Sequence, residues 1–240
     1  MPINRLKPAV LDANLATQKY GLVKSTFGNV SAIDRDEAVI VIKPSGVDYA
    51  AMTSDDMVIT DLSGTPLRAN KNALKPSSDL ATHVELYRAF PEVGAVVHTH
   101  SPFSTIFAQL KREIVPFGTT HADYFRGAIP VTRDLNDDEI AGNYVRSTGK
   151  AIVERFQNLD PSEIPAVLVA GHGPFVWGVD CIDAVNNAVM LEEAARLAWH
   201  VLAISNECPA ISQALLDRHF FRKHGNAATY GQGQRKGAAE

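Results

Sequence analysis

The sequence places two histidines two residues apart at the end of a short apolar run. The run at 95–97 predicts a buried strand, and His98 and His100 follow it. Because side chains at i and i+2 share one face of a strand, the two imidazoles would leave it side by side. Such a pair is half of a zinc site. The alternative is two core histidines, each with its own hydrogen-bond partners.

Two further residues could complete the site. His172 stands between two glycines after the apolar run at 166–170, where the backbone is accessible on both sides. Asp79 precedes a helical pattern, so it could cap that helix or bind a metal. His172 could equally be an ordinary turn residue. Three neutral imidazoles and one carboxylate form a credible ligand set for Zn²⁺ that keeps room for substrate oxygens.

Two Lys-Pro-Ser segments could hold an anion near that metal. Residues 43–46 read Lys-Pro-Ser-Gly after a predicted strand, and residues 75–79 read Lys-Pro-Ser-Ser-Asp before a predicted helix. Helix N-termini and open backbone N–H groups attract anions, although each segment alone is also an ordinary turn or cap. Together they favour a small phosphorylated substrate. The chemistry of the metal, either water activation or carbonyl polarisation, stays open at this stage.

Length and composition indicate one globular domain. The chain has 240 residues, of which 45% are hydrophobic and 21% charged, enough for a substantial core. The net charge of −4 gives no general attraction to nucleic acid or to an anionic membrane. The first residues contain no long apolar run, and Cys181 and Cys208 form no motif. We therefore expect a cytoplasmic protein without a signal peptide, membrane span or disulfide framework.

Hydrophobic spacing predicts the elements that must position the candidate residues. Helical patterns occur at 6–20, 80–90, 102–110, 137–156 and 181–204, with a last one that ends at Gly225. Strand patterns form a hairpin around 34–37, a second hairpin over 57–67, and separate strands at 95–97, 129–132 and 166–170. The polar stretch at 119–124 is interpreted as a solvated surface loop, although loops also carry function.

Seven motifs follow one another along the chain: Phe-Gly-Asn-Val-Ser (27–31), Ile-Lys-Pro-Ser-Gly-Val-Asp-Tyr (42–49), Lys-Pro-Ser-Ser-Asp (75–79), His-Thr-His-Ser (98–101), Gly-Thr-Thr-His-Ala-Asp-Tyr-Phe (118–125), His-Gly-Pro-Phe (172–175), and Lys-His-Gly (223–225) with Tyr-Gly-Gln (230–232). In this order they closely resemble the L-ribulose-5-phosphate 4-epimerases of the class II aldolase family. The resemblance implies an α/β fold with three α/β/α layers and a central, largely antiparallel sheet. A single domain over 1–232 is expected, and the composition of 233–240 predicts a disordered tail.

The same resemblance implies roles for individual residues. One Zn²⁺ per subunit would bind Asp79, His98, His100 and His172. The phosphate of a small pentulose would be held by Gly28, Asn29, Ser45, Gly46, Ser77 and Ser78, with Lys43 nearby. Asp123 and Tyr230 would be the proton donor and acceptor, reaching in from a neighbouring subunit of a fourfold-symmetric homotetramer. Thr119 and His219 are further candidates for substrate contacts.

The implied reaction interconverts L-ribulose 5-phosphate and D-xylulose 5-phosphate by breaking and re-forming the C3–C4 bond. Two acid/base groups on opposite sides are needed, because the C4 oxygen points oppositely in the two epimers. Three positions depart from the family pattern: Val145 stands where a Glu is expected, Gly171 where a Ser is usual, and Arg126 where an aromatic is usual. These departures concern the surroundings of the metal and the substrate range more than the metal itself.

Two other functions remain open. An aldolase of the same superfamily would release its two fragments, but a Glu is expected at position 79 in such relatives, so Asp79 favours the epimerase. A non-catalytic scaffold of the same fold would need no complete ligand set. Arabinose and ascorbate breakdown both pass through this sugar phosphate, so the sequence does not identify the pathway.

Overall fold

The computed structural model describes residues 3–67, 74–224 and 228. Within these residues the helices are α1 Ile3–Lys19, α2 Leu80–Ala89, α3 Pro102–Gln109, α4 Thr119–Ala122, α5 Asp137–Ala141, α6 Tyr144–Arg155, α7 Cys181–Ile204 and α8 Gln213–His224, with a 3-10 turn at Ser54–Asp56. The strands are β1 Asn29–Asp34, β2 Val39–Ile42, β3 Val58–Asp61, β4 Ala95–His98, β5 Ala166–Val169 and β6 Gly173–Gly178. Tyr230 and the predicted tail at 233–240 lie outside the described residues.

One antiparallel sheet organises the chain. Its six strands lie in the order β3-β2-β1-β4-β6-β5, and every neighbouring pair is antiparallel. The residues of β2, β4, β5 and β6 are all buried, as expected of strands that helices cover on both faces. The predicted α/β fold with a largely antiparallel central sheet is confirmed.

Helices cover both faces of this sheet. On one face the Trp177 ring of β6 packs against Phe90 and Phe156, which follow α2 and α6, with ring centroids 5.3 and 5.1 Å apart. On the other face α1 and α7 contact each other and the central strands. The three layers bury an extensive apolar core, and no helix within 3–67 and 74–224 is long and apolar enough to cross a membrane.

The prediction of a solvated loop at 119–124 is wrong. Residues 119–122 form the single turn of α4, and His121 is 4% exposed, with Nε2 2.6 Å from the carbonyl oxygen of Gly127. That hydrogen bond places a polar side chain in the protein interior. The stretch contains no apolar periodicity, so it resembled a surface segment.

Three other predicted elements also differ from the structure. The pattern at 129–132 forms only isolated bridges, through Ile129 and Val131, and no strand. Residues 65–67 return beside β3 through a single bridge and not as a strand. The helix predicted at 137–156 is divided into α5 and α6, because Gly142 ends the first and the Asn143 side chain caps the second by accepting from Arg146 N.

Candidate metal centre and anion cradle

Three imidazoles meet at one end of the sheet. The ring centroids of His98 and His100 are 5.0 Å apart, those of His98 and His172 4.7 Å, and those of His100 and His172 4.9 Å. One ring nitrogen from each lies within 4.8 Å of the other two. Nitrogens at this separation can share one divalent cation after small side-chain movements. The structure therefore brings together the three histidines that the sequence singled out.

Strand pairing explains this convergence. His98 is the last residue of β4 and pairs with Phe175 of β6, so the turn that precedes β6 lies beside the end of β4. His172 is in that turn. Gly173 permits the close approach, because a Cβ at this position would lie 2.8 Å from the carbonyl oxygen of Thr99. A side chain at 173 would hold the turn away from the segment that carries His100.

The side chain of Asp79 does not cap α2. It occupies the N-cap position of α2, but its backbone is helical and its carboxylate makes no capping hydrogen bond. Its Oδ2 instead accepts a hydrogen bond from Asn29 Nδ2 at 2.7 Å and lies 3.9 Å from His98 Nε2. Asn29 pairs with His98 across β1 and β4, so both share one face of the sheet. The carboxylate is therefore directed at the histidines, which favours a role as a ligand.

Partial or full desolvation favours the neutral form of all three imidazoles, although only His98 is fully buried, His172 is half-buried and His100 is exposed. Desolvation lowers the pKa of His98 to about 3, in spite of the opposing charge of Asp79, and it is also the main cause of the lowered pKa values of His100 and His172. Burial by itself raises the pKa of Asp79, but interactions with His98 and His83 and the Asn29 hydrogen bond outweigh it, and the net pKa is lowered. Neutral imidazoles with a charged carboxylate are the protonation states that bind a cation.

Hydrogen bonds behind the rings fix their orientation. His98 Nδ1 lies 2.9 Å from the carbonyl oxygen of Pro174, so Nδ1 carries the proton and donates, which leaves Nε2 unprotonated on the side of Asp79. His172 Nδ1 lies 3.3 Å from the Tyr144 hydroxyl. The donor set of three nitrogens and one oxygen fits Zn²⁺, and the Nδ1–H that His98 donates to Pro174 O leaves its Nε2 as the ligand atom.

The two Lys-Pro-Ser segments lie side by side. Ser45 N donates to Lys75 O at 2.9 Å, and Ser77 N donates to Lys43 O at 3.0 Å. These bonds place the segments at the N-terminus of α2, next to Asp79. We call residues 43–46 and 75–78 the anion cradle. The expectation of free backbone N–H groups is wrong at Ser45 and Ser77, because both are used to join the two segments.

Gly28 and Gly46 have backbone conformations that favour glycine, but only Gly46 has open space beside it. Both have positive φ, 79° and 68°, and a Cβ at Gly46 would meet no atom within 4 Å. A Cβ at Gly28 would lie 2.6 Å from Val23 Cγ1 and 3.0 Å from the carbonyl oxygen of His98. Gly28 thus brings the start of β1 against the end of β4. This contact connects the candidate phosphate-binding residues with the metal centre.

The side chain of Lys43 lies inside the protein, whereas the sequence suggested a position near the phosphate. It is 1% exposed, and its Nζ donates to the carbonyl oxygens of Thr26, Pro44 and Val47 at 3.2–3.3 Å. Its ammonium also lies 4.8 Å from the centre of the Tyr49 ring. Lys43 therefore binds the backbone of the loops around the anion cradle. Burial lowers its pKa, although Asp48 opposes this shift.

Asp123 directly follows α4 and contacts α8. We call this region, formed by α4, Asp123 and α8, the α4–α8 corner. The Asp123 carboxylate accepts from His219 Nδ1 at 2.9 Å and from Arg222 at 3.0 Å, and Thr119 O accepts from its backbone N–H at 2.9 Å. Partial burial raises the pKa of Asp123, but the hydrogen bonds from Arg222 and His219 outweigh it, so the pKa is lowered. Among the described residues, its carboxylate makes no hydrogen bond or ion pair to the candidate metal ligands.

Sequence reasoning missed the buried polar residues behind Asp79. His83 and Tyr87 follow it on α2 at intervals of four, and both contact the Ser31 hydroxyl of β1 at 2.7 Å. The repeated spacing could have indicated them, because residues four apart share one face of a helix. Tyr144, which contacts His172, was also missed.

The family of the chain can now be stated. A family model described as the Class II Aldolase and Adducin N-terminal domain matches residues 9–199. The protein belongs to this family. The match includes every candidate metal ligand and the whole sheet. Membership of this class II aldolase family does not assign a particular reaction to the protein.

Several solved structures of other proteins share this fold. An L-fuculose 1-phosphate aldolase is 21% identical, with a TM-score of 0.75 over 90% of this chain and 94% of that chain. The L-fuculose 1-phosphate aldolase from Glaciozyma antarctica is 18% identical, with a TM-score of 0.75 over 95% and 84% of the two chains. YgbL from Klebsiella pneumoniae, for which aldolase, epimerase and decarboxylase activities have been suggested, is 23% identical, with a TM-score of 0.70 over 91% and 99%. These identities support the fold and do not assign a substrate.

Proposed function

We propose that this protein is a zinc-dependent L-ribulose-5-phosphate 4-epimerase of the cytoplasm. The observation that carries the proposal is the position of Asp79, an Asp where aldolases of the superfamily are expected to have a Glu. Its carboxylate is bound by Asn29 and lies beside His98, and the anion cradle adjoins it. The substrate pair is L-ribulose 5-phosphate and D-xylulose 5-phosphate, as the order of the motifs suggests.

The metal would be held by Asp79, His98, His100 and His172, which offer neutral nitrogens and one charged oxygen. When bound, Zn²⁺ would supply Lewis-acid stabilisation of negative charge that develops on the sugar oxygens. The anion cradle would bind the phosphate through Ser45, Ser77 and Ser78, with Gly28, Asn29 and Gly46 close to it. Lys43 would hold the loops around the cradle by hydrogen bonds to their backbone carbonyl oxygens, and its ammonium would add positive charge. This anchorage would keep the phosphorylated fragment bound while its aldehyde turns over.

Asp123 and Tyr230 would exchange protons with the C4 oxygen from opposite sides. One group removes the C4 hydroxyl proton as the C3–C4 bond breaks, and the other returns a proton when the bond forms on the opposite face of the aldehyde. The lowered pKa of Asp123 keeps its carboxylate ionised, which is the form that can accept a proton. His219 holds that carboxylate by a hydrogen bond of 2.9 Å, and Thr119 belongs to the same helical turn.

We expect a homotetramer with active sites between subunits, as the resemblance to the 4-epimerases implies. Among the residues that the structure describes, the Asp123 side chain makes its hydrogen bonds and ion pairs with α8 and none with the candidate metal ligands. A neighbouring subunit that presents its own α4–α8 corner would place the acid/base group opposite the metal centre. This separation within one chain supports the proposed assembly.

The deciding experiment supplies the purified protein and Zn²⁺ with L-ribulose 5-phosphate. We expect D-xylulose 5-phosphate to form without release of fragments, and removal of the metal by a chelator to stop the reaction reversibly. Free glycolaldehyde phosphate and dihydroxyacetone, without D-xylulose 5-phosphate, would instead identify an aldolase. Absence of both bound metal and turnover would favour the non-catalytic scaffold.

A further inference from the structure

A buried chain of polar groups runs from Asp79 into the core. His83 and Tyr87 lie one and two helical turns after Asp79 on α2, and all three face β1. The Ser31 hydroxyl is 2.7 Å from His83 Nδ1 and 2.7 Å from the Tyr87 hydroxyl. Ser31 and His83 are 0% exposed and Tyr87 is 2% exposed. Water therefore cannot satisfy these groups freely, and their hydrogen bonds must be ordered.

Two atoms beside Asp79 have unused hydrogen-bonding capacity. His83 Nε2 and Asn29 Oδ1 are buried and have no partner among the described residues. His83 N donates to Asp79 O at 3.3 Å, and Asn29 Nδ2 donates to the Asp79 carboxylate at 2.7 Å, so both residues are tied to the same ligand. The two atoms form no hydrogen bond with each other in this structure, so a donor at His83 Nε2 would need a side-chain movement to reach the Asn29 acceptor. Such buried unpaired atoms in a native protein call for an explanation.

The direction of the hydrogen bonds determines the tautomer of His83. The Tyr87 hydroxyl has a single proton, and Ser31 Oγ is its only side-chain partner among the described residues. If Tyr87 donates to Ser31, the Ser31 proton is directed at His83 Nδ1, which then accepts. A neutral imidazole that accepts at Nδ1 carries its proton on Nε2. Burial lowers the pKa of His83 to about 4, which keeps the ring neutral near pH 7.

We propose that His83 is a positioning residue for Asp79, fixed by Ser31 and Tyr87 as the neutral tautomer with its proton on Nε2. This N–H favours the negative charge of the Asp79 carboxylate and favours the amide orientation in which Asn29 turns its nitrogen toward that carboxylate. The imidazole acts through Asp79 and Asn29 and does not touch the substrate. The inference rests on the metal centre of the proposed function, but not on the identity of the sugar.

The first test examines the tautomer directly in the metal-free protein. Long-range ¹H–¹⁵N correlation spectra at pH 7 should show His83 with Nδ1 unprotonated and Nε2 protonated, with the signal assigned by its loss in His83→Gln. In Ser31→Ala, which lacks the donor to Nδ1, the His83 signals should shift toward a mixture of the two tautomers. A proton on Nδ1 in the unaltered protein would overturn the proposal.

The second test measures Co²⁺ binding by its visible absorption. Loss of a group that supports a ligand typically weakens metal affinity by about 10–100-fold. His83→Phe should therefore raise the Kd for Co²⁺ about tenfold or more and change the absorption bands. His83→Gln, whose amide N–H can replace the donor, should recover part of the affinity. The matched control is His121→Gln, since His121 is also buried and neutral but lies in the α4–α8 corner.

Folding and function are separated by additional measurements. Circular dichroism and the Tm identify any variant that fails to fold, and Tyr87→Phe and Ser31→Ala then provide the test, with an expected Kd increase of several-fold. A folded His83→Phe that binds Co²⁺ with unchanged Kd and spectrum would overturn the proposal, as would an unaltered protein that binds no Co²⁺. An unaltered protein that binds Co²⁺ and passes these tests, but does not epimerise L-ribulose 5-phosphate, would refute the proposed function alone.

Discussion

The metal centre and the α4–α8 corner are built in different ways. The candidate metal centre forms where the ends of adjacent strands lie beside the start of α2, and its His98 is only 1% exposed. The α4–α8 corner joins a four-residue helix to the last described helix, and the Asp123 side chain is 18% exposed. The first region has neutral imidazoles, of which His98 is buried, His172 half-buried and His100 exposed, whereas the second has a charged carboxylate paired with a cation. One chain therefore holds a preorganised candidate cation site, while Asp123, the proposed acid/base group, lies in a separate and partly exposed region.

The largest expected effect follows loss of a histidine from the metal centre. His98→Asn should abolish bound zinc and lower epimerisation by at least about a thousandfold, because the Lewis-acid contribution amounts to several kcal/mol. Elemental analysis and D-xylulose 5-phosphate formation provide the readouts. Zinc content equal to that of the unaltered protein would show that His98 is not a ligand.

Asp123→Asn should act on catalysis without acting on the metal. We expect epimerisation to fall by about 10²–10⁴-fold, the usual range for loss of a general acid or base, while zinc content stays the same. Tyr230→Phe should give the same separation between rate and zinc content. The matched control is Asp217→Asn, which removes a carboxylate of α8 that pairs with Arg126. Zinc loss in Asp123→Asn would mean that the α4–α8 corner has been assigned the wrong role.

Acid should destabilise the metal-free protein through its buried histidines. The pKa of His121 is lowered to about 4 by burial, below its ordinary value of 6.5, so the unfolded state binds more protons between these two values. Stability should therefore be fully present above about pH 6.5 and decrease as the pH falls toward 4. From pH 7 to pH 5 this one group contributes a loss of about 2 kcal/mol.

Urea denaturation of the metal-free protein at several pH values measures this effect. His121→Gln should flatten the pH dependence, although it lowers the stability at pH 7. A pH dependence identical to that of the unaltered protein would show that His121 does not titrate as its burial suggests.

The smallest effect is expected from the lysine beneath the anion cradle. Lys43→Met removes an ammonium that binds three backbone carbonyl oxygens, so the loops should lose their fixed spacing. We expect the KM for L-ribulose 5-phosphate to rise by about tenfold, with zinc content unchanged. Steady-state kinetics and elemental analysis distinguish this outcome from a defect at the metal centre. An unchanged KM would indicate that the cradle does not bind the phosphate.

The sequence was sufficient for residues whose spacing matches a regular element. His98 and His100 follow a clear strand pattern, and α7 agrees with the predicted helix at 181–204. The elements that it did not predict depend on tertiary contacts. The α4 turn contains no apolar period, and its buried His121 is satisfied by the carbonyl of Gly127. Local pattern could not indicate such a contact.

The candidate site shows the same limit. Lys43 was expected near a phosphate, but three carbonyl oxygens hold its ammonium inside the protein. The sequence analysis did not single out His83, because only the fold brings it to Ser31. Asp79 could not be assigned as a cap or a ligand until the position of Asn29 was known.

The absence of a side chain at Gly173 sets how accurately the histidines of the candidate metal centre are placed. A methyl group there would approach the Thr99 oxygen to 2.8 Å, so relief would require a displacement of a few tenths of an ångström. Coordination distances are held to within about 0.2 Å. The substitution Gly173→Ala could therefore weaken the binding of a cation without changing any candidate ligand atom. The precision of this centre is thus encoded partly at a position with no chemistry of its own.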